Sequence, residues 1–289
     1  SLDLSNNIAL ESFVCYFNHI DTLDLSNNTS LISLDCQSNN LTSLDISSNN
    51  ALIYLTCRNN DLENLDITNN PFLTLLDCLG NDLTSIDLNN NTALNTINAN
   101  FNLLTSLDLS NANNLTHLHL QNNNFNIFDI TNNSSLVLLN IANNNLTSLD
   151  LRNGNNSNFT YFNALGNNNL FCISVDDPAY STANWNNIDS HTSFSANCPV
   201  YGCTDSTALN YNPNSNTDDG SCTYQMTYVP DDNFEQYLID QGWDDILDDS
   251  VLTSNINTIT ILHVNHLGIH SLTGIEDFTS LIELKCNNN

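Results

Sequence analysis

The segment LISLDCQSN at residues 31–39 returns as LIYLTCRNN at 52–60 and as LTLLDCLGN at 73–81, each time 21 residues further on. Leu10, Leu31, Leu52, Leu73, Leu94, Leu115 and Leu136 hold its first position, and Phe13, Leu34, Leu55, Leu76, Ile97, Leu118 and Leu139 its fourth. Cys15, Cys36, Cys57, Cys78, Ala99, Leu120 and Ile141 hold the sixth, and Asn18, Asn39, Asn60, Asn81, Asn102, Asn123 and Asn144 the ninth. Apolar residues at alternate positions point to one side of a short strand. A coil of 21 residues cannot bury that stripe alone, so the coils must stack in parallel about 4.8 Å apart. The Asn closing each strand is placed to bond its amide to the turn and to the neighbouring coil.

A second half-motif, L-D-[L/I]-S-x-N, recurs with Asp3, Asp24, Asp45, Asp66, Asp87, Asp108, Asp129 and Asp150 at its centre. The flanking apolar residues alternate inward, so each Asp faces out. The half-coil is too short for a helix, and a second parallel strand stack is expected in its place. Like charges about 4.8 Å apart repel by roughly 1 kcal/mol in water. Hydrogen bonds from hydroxyl or backbone groups, with Ser1, Thr22, Ser43, Ser85, Ser106 and Ser148 nearby, or divalent cations bridging the row, are the two ways to hold the ladder.

The pattern L-x-x-L-x-[C/L/A]-x-x-N resembles that of the leucine-rich repeat family over residues 1–170 and again near 259–289. The resemblance implies a solenoid of the α/β class by family, mainly β in content. It also implies that the strand's outward positions form a concave ligand surface. Those positions change from coil to coil, and Tyr16, Asp35, Tyr54, Arg58, Asp77, His117 and His119 are the candidate contacts. Recognition and simple drift of an exposed face both fit the variation. His117 and His119 supply two metal ligands where a site needs more. No Ser-His-Asp order, glycine-rich phosphate loop or nucleophile elbow is present, and a uniform carboxylate ladder lacks the unequal pair of a glycosidase. A non-enzymatic protein is expected.

The regular coils give way after Gly154, and residues 172–198 resemble the C-terminal cap of secreted repeat proteins from the Bacteroidota, implying a Cys172–Cys198 bridge. Residues 199–223 resemble a Cys-bounded module of such proteins, implying a Cys203–Cys222 bridge worth about 3 kcal/mol. Asn214, Asn216 and Asp218 alternate within that loop as oxygen ligands of calcium do, though Asp219 stands where a calcium loop wants Gly. Asx-turn scaffolding and calcium both remain open. Residues 224–258 resemble the helical N-cap of an internalin-like domain, with Asp232 and Glu235 spaced as a capping box and Gly242 as the stop. Residues 259–289 then resemble the first coils of another solenoid. Cys15, Cys36, Cys57, Cys78 and Cys286 occupy the inward ladder position and are expected to be buried thiols. Three triplets, at Thr22, Ser206 and Ser250, look like the O-glycosylation sequon of the Bacteroidota and imply sugar there.

Composition narrows the partners. The 289 residues carry 32 Asp+Glu against Arg58, Arg152 and Lys285, a formal charge of −29 that disfavours nucleic acid and anionic membrane. Asn is about a fifth of the chain, tolerable only where a fold uses it at a fixed position. The cysteine pattern points to a secreted or cell-surface protein. Asn289 stops three residues after Cys286, and Ser1 begins three residues short of completing that coil. The chain therefore reads as a window on a longer module, with copies of itself stacked head to tail as an array or filament. The alternative is an adhesin that binds a glycan or protein on the variable face.

Overall fold

The computed structural model describes residues 2–289, so Ser1, expected beside the first Asp, lies outside the described residues. The chain divides into two units, one ending at Cys198 and the other Pro199–Asn289. In the first unit every L-x-x-L-x-C motif supplies a three-residue strand, from Ser12–Val14 to Tyr161–Asn163, and eight such strands form one parallel sheet. Register is fixed by the repeat, Phe13 lying opposite Leu34, Leu34 opposite Leu55, and so on to Leu139 opposite Phe162. Leu34, Leu55, Leu76, Ile97, Leu118 and Leu139 are buried in one continuous core with the ladder cysteines. This is the leucine-rich repeat solenoid.

A second parallel sheet exists but is shorter than the half-motif implies: Ile127–Asp129, Ser148–Asp150, Cys172–Ser174 and Ser193–Ser195. In earlier coils the flanking residues still point inward, Leu25 and Ile46 being buried, while the segments carry no strand. There each Asp turns the chain instead. Asp24 accepts the Ser26 N–H (3.0 Å) and the Ser26 hydroxyl (2.6 Å), and Asp66 treats Thr68 alike. These bonds hold the carboxyls of Asp3, Asp24, Asp45, Asp66 and Asp108 below their ordinary range. The donor hydroxyl comes from the residue two positions after the Asp. Thr22, Ser43, Ser85, Ser106 and Ser148, two positions before the Asp, donate none of these bonds.

The ninth-position Asn acts as foreseen. The Asn60 amide donates to Cys36 O (3.1 Å) in the preceding coil and to Cys57 O (3.0 Å) in its own, and its Oδ1 accepts the Leu41 N–H (3.0 Å). A second, unforeseen Asn ladder closes the other half-coil. Asn70 donates to Ile46 O (3.2 Å) and Asn49 O (2.9 Å), with Asn28, Asn49, Asn91 and Asn133 alike. The Oδ1 atoms of Asn28, Asn49, Asn70 and Asn91 are buried and unpartnered, and Ala112 replaces the Asn in one coil.

The first unit ends in a cap. Asp177 caps the helix Pro178–Asn184, and Trp185 packs against Phe159, Phe162 and Phe194 over the last coils. The second unit has its own core around Phe234, Leu238, Val251, Ile256 and Leu262. Its helix Asp232–Asp240 is capped by Asp231, not by the expected box, because Asp231 accepts the Asn233 and Phe234 N–H groups. Glu235 is buried and receives the Asp248 (2.9 Å) and Ser250 (3.0 Å) N–H groups, tying the loop to the helix. Gly242, at φ +75°, ends the helix with Gly242 N–H to Ile239 O and Trp243 N–H to Leu238 O, a pairing that needs a left-handed residue.

The two Asn ladders differ in what their removal strands. Asn60→Ala strands the Leu41 N–H and removes one of the two amide bonds at Cys36 O and at Cys57 O, which keep those of Asn39 and Asn81, and is expected to cost on the order of 2 kcal/mol. Asn70→Ala copies a substitution the chain already tolerates at Ala112 and is expected to cost about half as much. Urea midpoints of the two variants against the parent check the ranking.

Candidate functional site: the outward face of the long sheet

Three rows of side chains run across this face. Strand register puts Ser12, Ser33, Tyr54, Leu75, Thr96, His117, Leu138 and Tyr161 in one row and Val14, Asp35, Thr56, Asp77, Asn98, His119, Asn140 and Asn163 in the next. Tyr16, Gln37, Arg58 and Leu79 begin a third. Inward positions hold one kind of residue throughout, while these rows hold aromatic, acidic, basic, amide and aliphatic groups.

The candidates fall into local sets. Arg58 reaches to the next coil and its guanidinium pairs with Asp77, whose side chain is nearly enclosed. The Arg58 Nε is buried and unpartnered. Asp35 accepts the Gln37 amide (3.1 Å) within its own coil. Gln121 accepts the Asn140 amide (2.9 Å), and its N–H donates to Asn100 Oδ1 (2.6 Å), so amides knit the later coils. His117 Nδ1 lies 2.7 Å from the Thr116 hydroxyl. Burial and the neighbouring His117 push the His119 imidazole below its ordinary pKa, against a smaller opposing effect of Asp77. Tyr54 is exposed, as is Tyr16, which meets Phe17 edge to face at 5.7 Å. Among the described residues no group of three His, Cys, Asp or Glu is placed to hold a metal ion.

The sequence reading missed the residue before each ladder Asn. It has positive φ in every coil and is Ser38, Asn59, Gly80, Asn122 or Asn143 in most, but Phe17 (φ 52°) and Phe101 (φ 54°) in two. A bulky residue is costly in this region, and both Phe rings are exposed. The signal was available: a Phe stands where neighbouring coils put Asn, Ser or Gly.

Outside the face, Cys172 is bonded to Cys198 and Cys203 to Cys222. In the second loop Asn216 Oδ1 accepts the Val200 N–H (2.8 Å), Asp218 Oδ1 accepts the Gly220 N–H (3.2 Å), and Asn214 donates its own N–H to Asn212 (3.1 Å). The last two are Asx turns, at Asp218 and Asn212, and the first ties the loop back to Val200. Thr22 and Ser206 are exposed, whereas Ser250 is half-buried and donates its hydroxyl to Asp248 (2.8 Å). Cys15, Cys36, Cys57 and Cys78 are buried free thiols. Cys286 is exposed and so departs from the buried role its ladder position implied: the strand before it, Glu283–Lys285, pairs only with Ile261–His263 among the described residues.

The fold has solved counterparts among bacterial repeat proteins. A leucine-rich repeat protein of Leptospira interrogans is 23% identical at TM-score 0.52, covering 61% of this chain and 46% of that one. Internalin C2 of Listeria monocytogenes is 19% identical at TM-score 0.52, covering 64% and 80%. The functional domain of InlJ from Listeria monocytogenes, described as including a cysteine ladder, is 26% identical at TM-score 0.42, covering 58% and 55%. The match thus spans about half the length of the InlJ and Leptospira chains. No protein-family model matches the chain, and no curated protein matches it.

Burial pushes the Cys15 thiol up to about 11 and those of Cys36 and Cys78 up to about 12, and holds Cys57 well above the ordinary thiol value. Only a thiolate reacts with iodoacetamide. At pH 8 the native protein is expected to be alkylated at Cys286 alone among the free cysteines, and at all five after unfolding in urea. Peptide mass mapping reads the result.

Proposed function

We propose that this chain is an extracellular, non-enzymatic interaction module that presents the outward face of its long sheet to other proteins. The observation that carries the proposal is the contrast on those strands between uniform buried positions and changing outward ones. Extracellular residence is supported by the two disulfides, which persist where the medium is oxidising. The resemblance to secreted Bacteroidota surface proteins points the same way. Charge limits the partner. The three basic side chains each sit in an ion pair, Arg58 with Asp77, Arg152 with Asp150 and Lys285 with Glu283, leaving the acidic surface to meet neutral or cationic groups. An adhesin taking a glycan or protein on this face fits within that description.

A finer form of the proposal is head-to-tail stacking of copies. The strand Ser12–Val14 pairs on one side only, and so does Glu283–Lys285. Beside the latter, Ile282 is 85% exposed and Leu284 40%. Stacking the coil of Cys286 on the coil of Cys15 of a second copy would continue both the strand ladder and the apolar stripe, an open-ended contact. Light scattering over a concentration series is expected to show mass rising with concentration, and Ile282→Asp to hold the protein monomeric. A monomer at every concentration would remove the stacking and leave the interaction face.

Calcium at Asn214, Asn216 and Asp218 and sugar on Thr22, Ser206 and Ser250 belong to the same extracellular proposal. Bound calcium is expected to make the melting temperature fall on adding a chelator. An unchanged melt, with no calcium retained after desalting, would remove the ion.

A further inference from the structure

The cap of the first unit holds a cavity of about 230 Å³ whose walls include Thr160, Tyr161, Tyr180, Asn184, Trp185 and Asn186. It lies on none of the rows discussed above except through Tyr161, at the last strand. We propose that this cavity binds a single ring of a neutral carbohydrate.

The walls carry the chemistry of sugar recognition. One face of a pyranose is a patch of C–H groups, which pack on the electron-rich faces of aromatic rings. Tyr161, 40% exposed, and the half-buried Tyr180 supply such rings here, while Trp185, 6% exposed, closes the wall behind them. The Trp185 ring is held by Phe162 at 4.7 Å, Phe159 at 5.5 Å and Phe194 at 5.7 Å, so the wall is built before any ligand arrives. Tyr180 is fixed by its hydroxyl bond to Ser157 O (3.0 Å).

Hydroxyl groups of a sugar need donors and acceptors side by side, which an amide supplies in one side chain. Asn184 donates to Tyr180 O (2.8 Å) and keeps its Oδ1 free to accept. The amide of Asn186 and the indole N–H of Trp185 meet no acceptor among the described residues. Thr160 donates to Val137 O (3.1 Å) and retains its lone pairs.

Charge and size select within the class. None of the six wall groups is cationic, and the chain's three cations are paired elsewhere, so a sugar acid finds no counter-ion. The volume is below the roughly 300–1,000 Å³ typical of drug-sized ligands, which suits one ring. A proline-rich peptide also docks on aromatic side chains, but needs an extended groove of successive ridges. Here the rings surround one space.

The full chain carrying Trp243→Phe leaves Trp185 as the only indole and so reports on the cavity. Titration with cellotriose, maltotriose, chitotriose and galactobiose is expected to shift its emission for at least one sugar. Sialyllactose and a proline decapeptide are expected to leave it unchanged. Tyr161→Ala and Asn186→Ala alter exposed side chains and are expected to preserve the melting temperature. Loss of the Tyr161 ring should weaken the responding sugar by about tenfold, the scale of one ring contact. Silence with all four neutral sugars would overturn the proposal. So would an unchanged affinity in Tyr161→Ala, or a response to the proline peptide stronger than to any sugar. None of these results depends on whether the long sheet binds protein.

Discussion

The need to satisfy backbone groups at the corners of each coil governs this molecule. A three-residue strand gives few ladder bonds, and the turns that follow it would bury carbonyls and N–H groups with nothing to pair them. The Asn amide solves this in one side chain, because it donates two hydrogens and accepts at its oxygen. Asn60 serves backbone groups in two coils, and Asn81, Asn102, Asn123 and Asn144 do the same one coil further along each time. Everything else follows from that stacking. It brings the leucines into one core, sets the strand register, and leaves the outward rows free to vary, since the packing of the core does not depend on them.

The first ladder was legible because it is tied to the apolar period, and both ladder and leucines repeat without interruption. The second was harder to see. Its Asn lies among other Asn and Ser residues, at a position one coil fills with Ala112, so composition hides it. The second sheet was overread for a related reason. Alternating apolar residues about an Asp look like a strand in every coil, yet only Ile127–Asp129 and Ser148–Asp150 pair, although the carboxylate accepts the N–H two residues on in paired and unpaired coils alike. Local bonding does decide the helix cap: Asp231, one residue earlier than the capping-box spacing suggested, reaches the free N–H groups, and Glu235 is drawn into the core.

Which strand positions point outward follows from the period, yet the pairings among them do not. Arg58 and Asp77 lie 19 residues apart, and only the coil spacing makes them neighbours. The cap cavity was wholly invisible, because Tyr161, Tyr180 and Trp185 come from a strand, a helix and the loop after it, with no spacing to connect them. Repetition makes a fold readable; the places where it stops are where a sequence says least and a structure adds most.

The buried thiol row has a kinetic consequence. Nine cysteines allow many wrong pairings, and four of them stand in successive coils as free thiols. Contacts between coils link residues only 21 apart in sequence, so stacking is a local process and local contacts form fast. Disulfide formation takes seconds to hours. The solenoid therefore seals its thiols in a dry, non-ionising stripe before an oxidant can act on them, and the pairing problem shrinks to the cysteines left outside. Speed of assembly, more than any steric barrier between partners, decides which sulfurs remain to be joined.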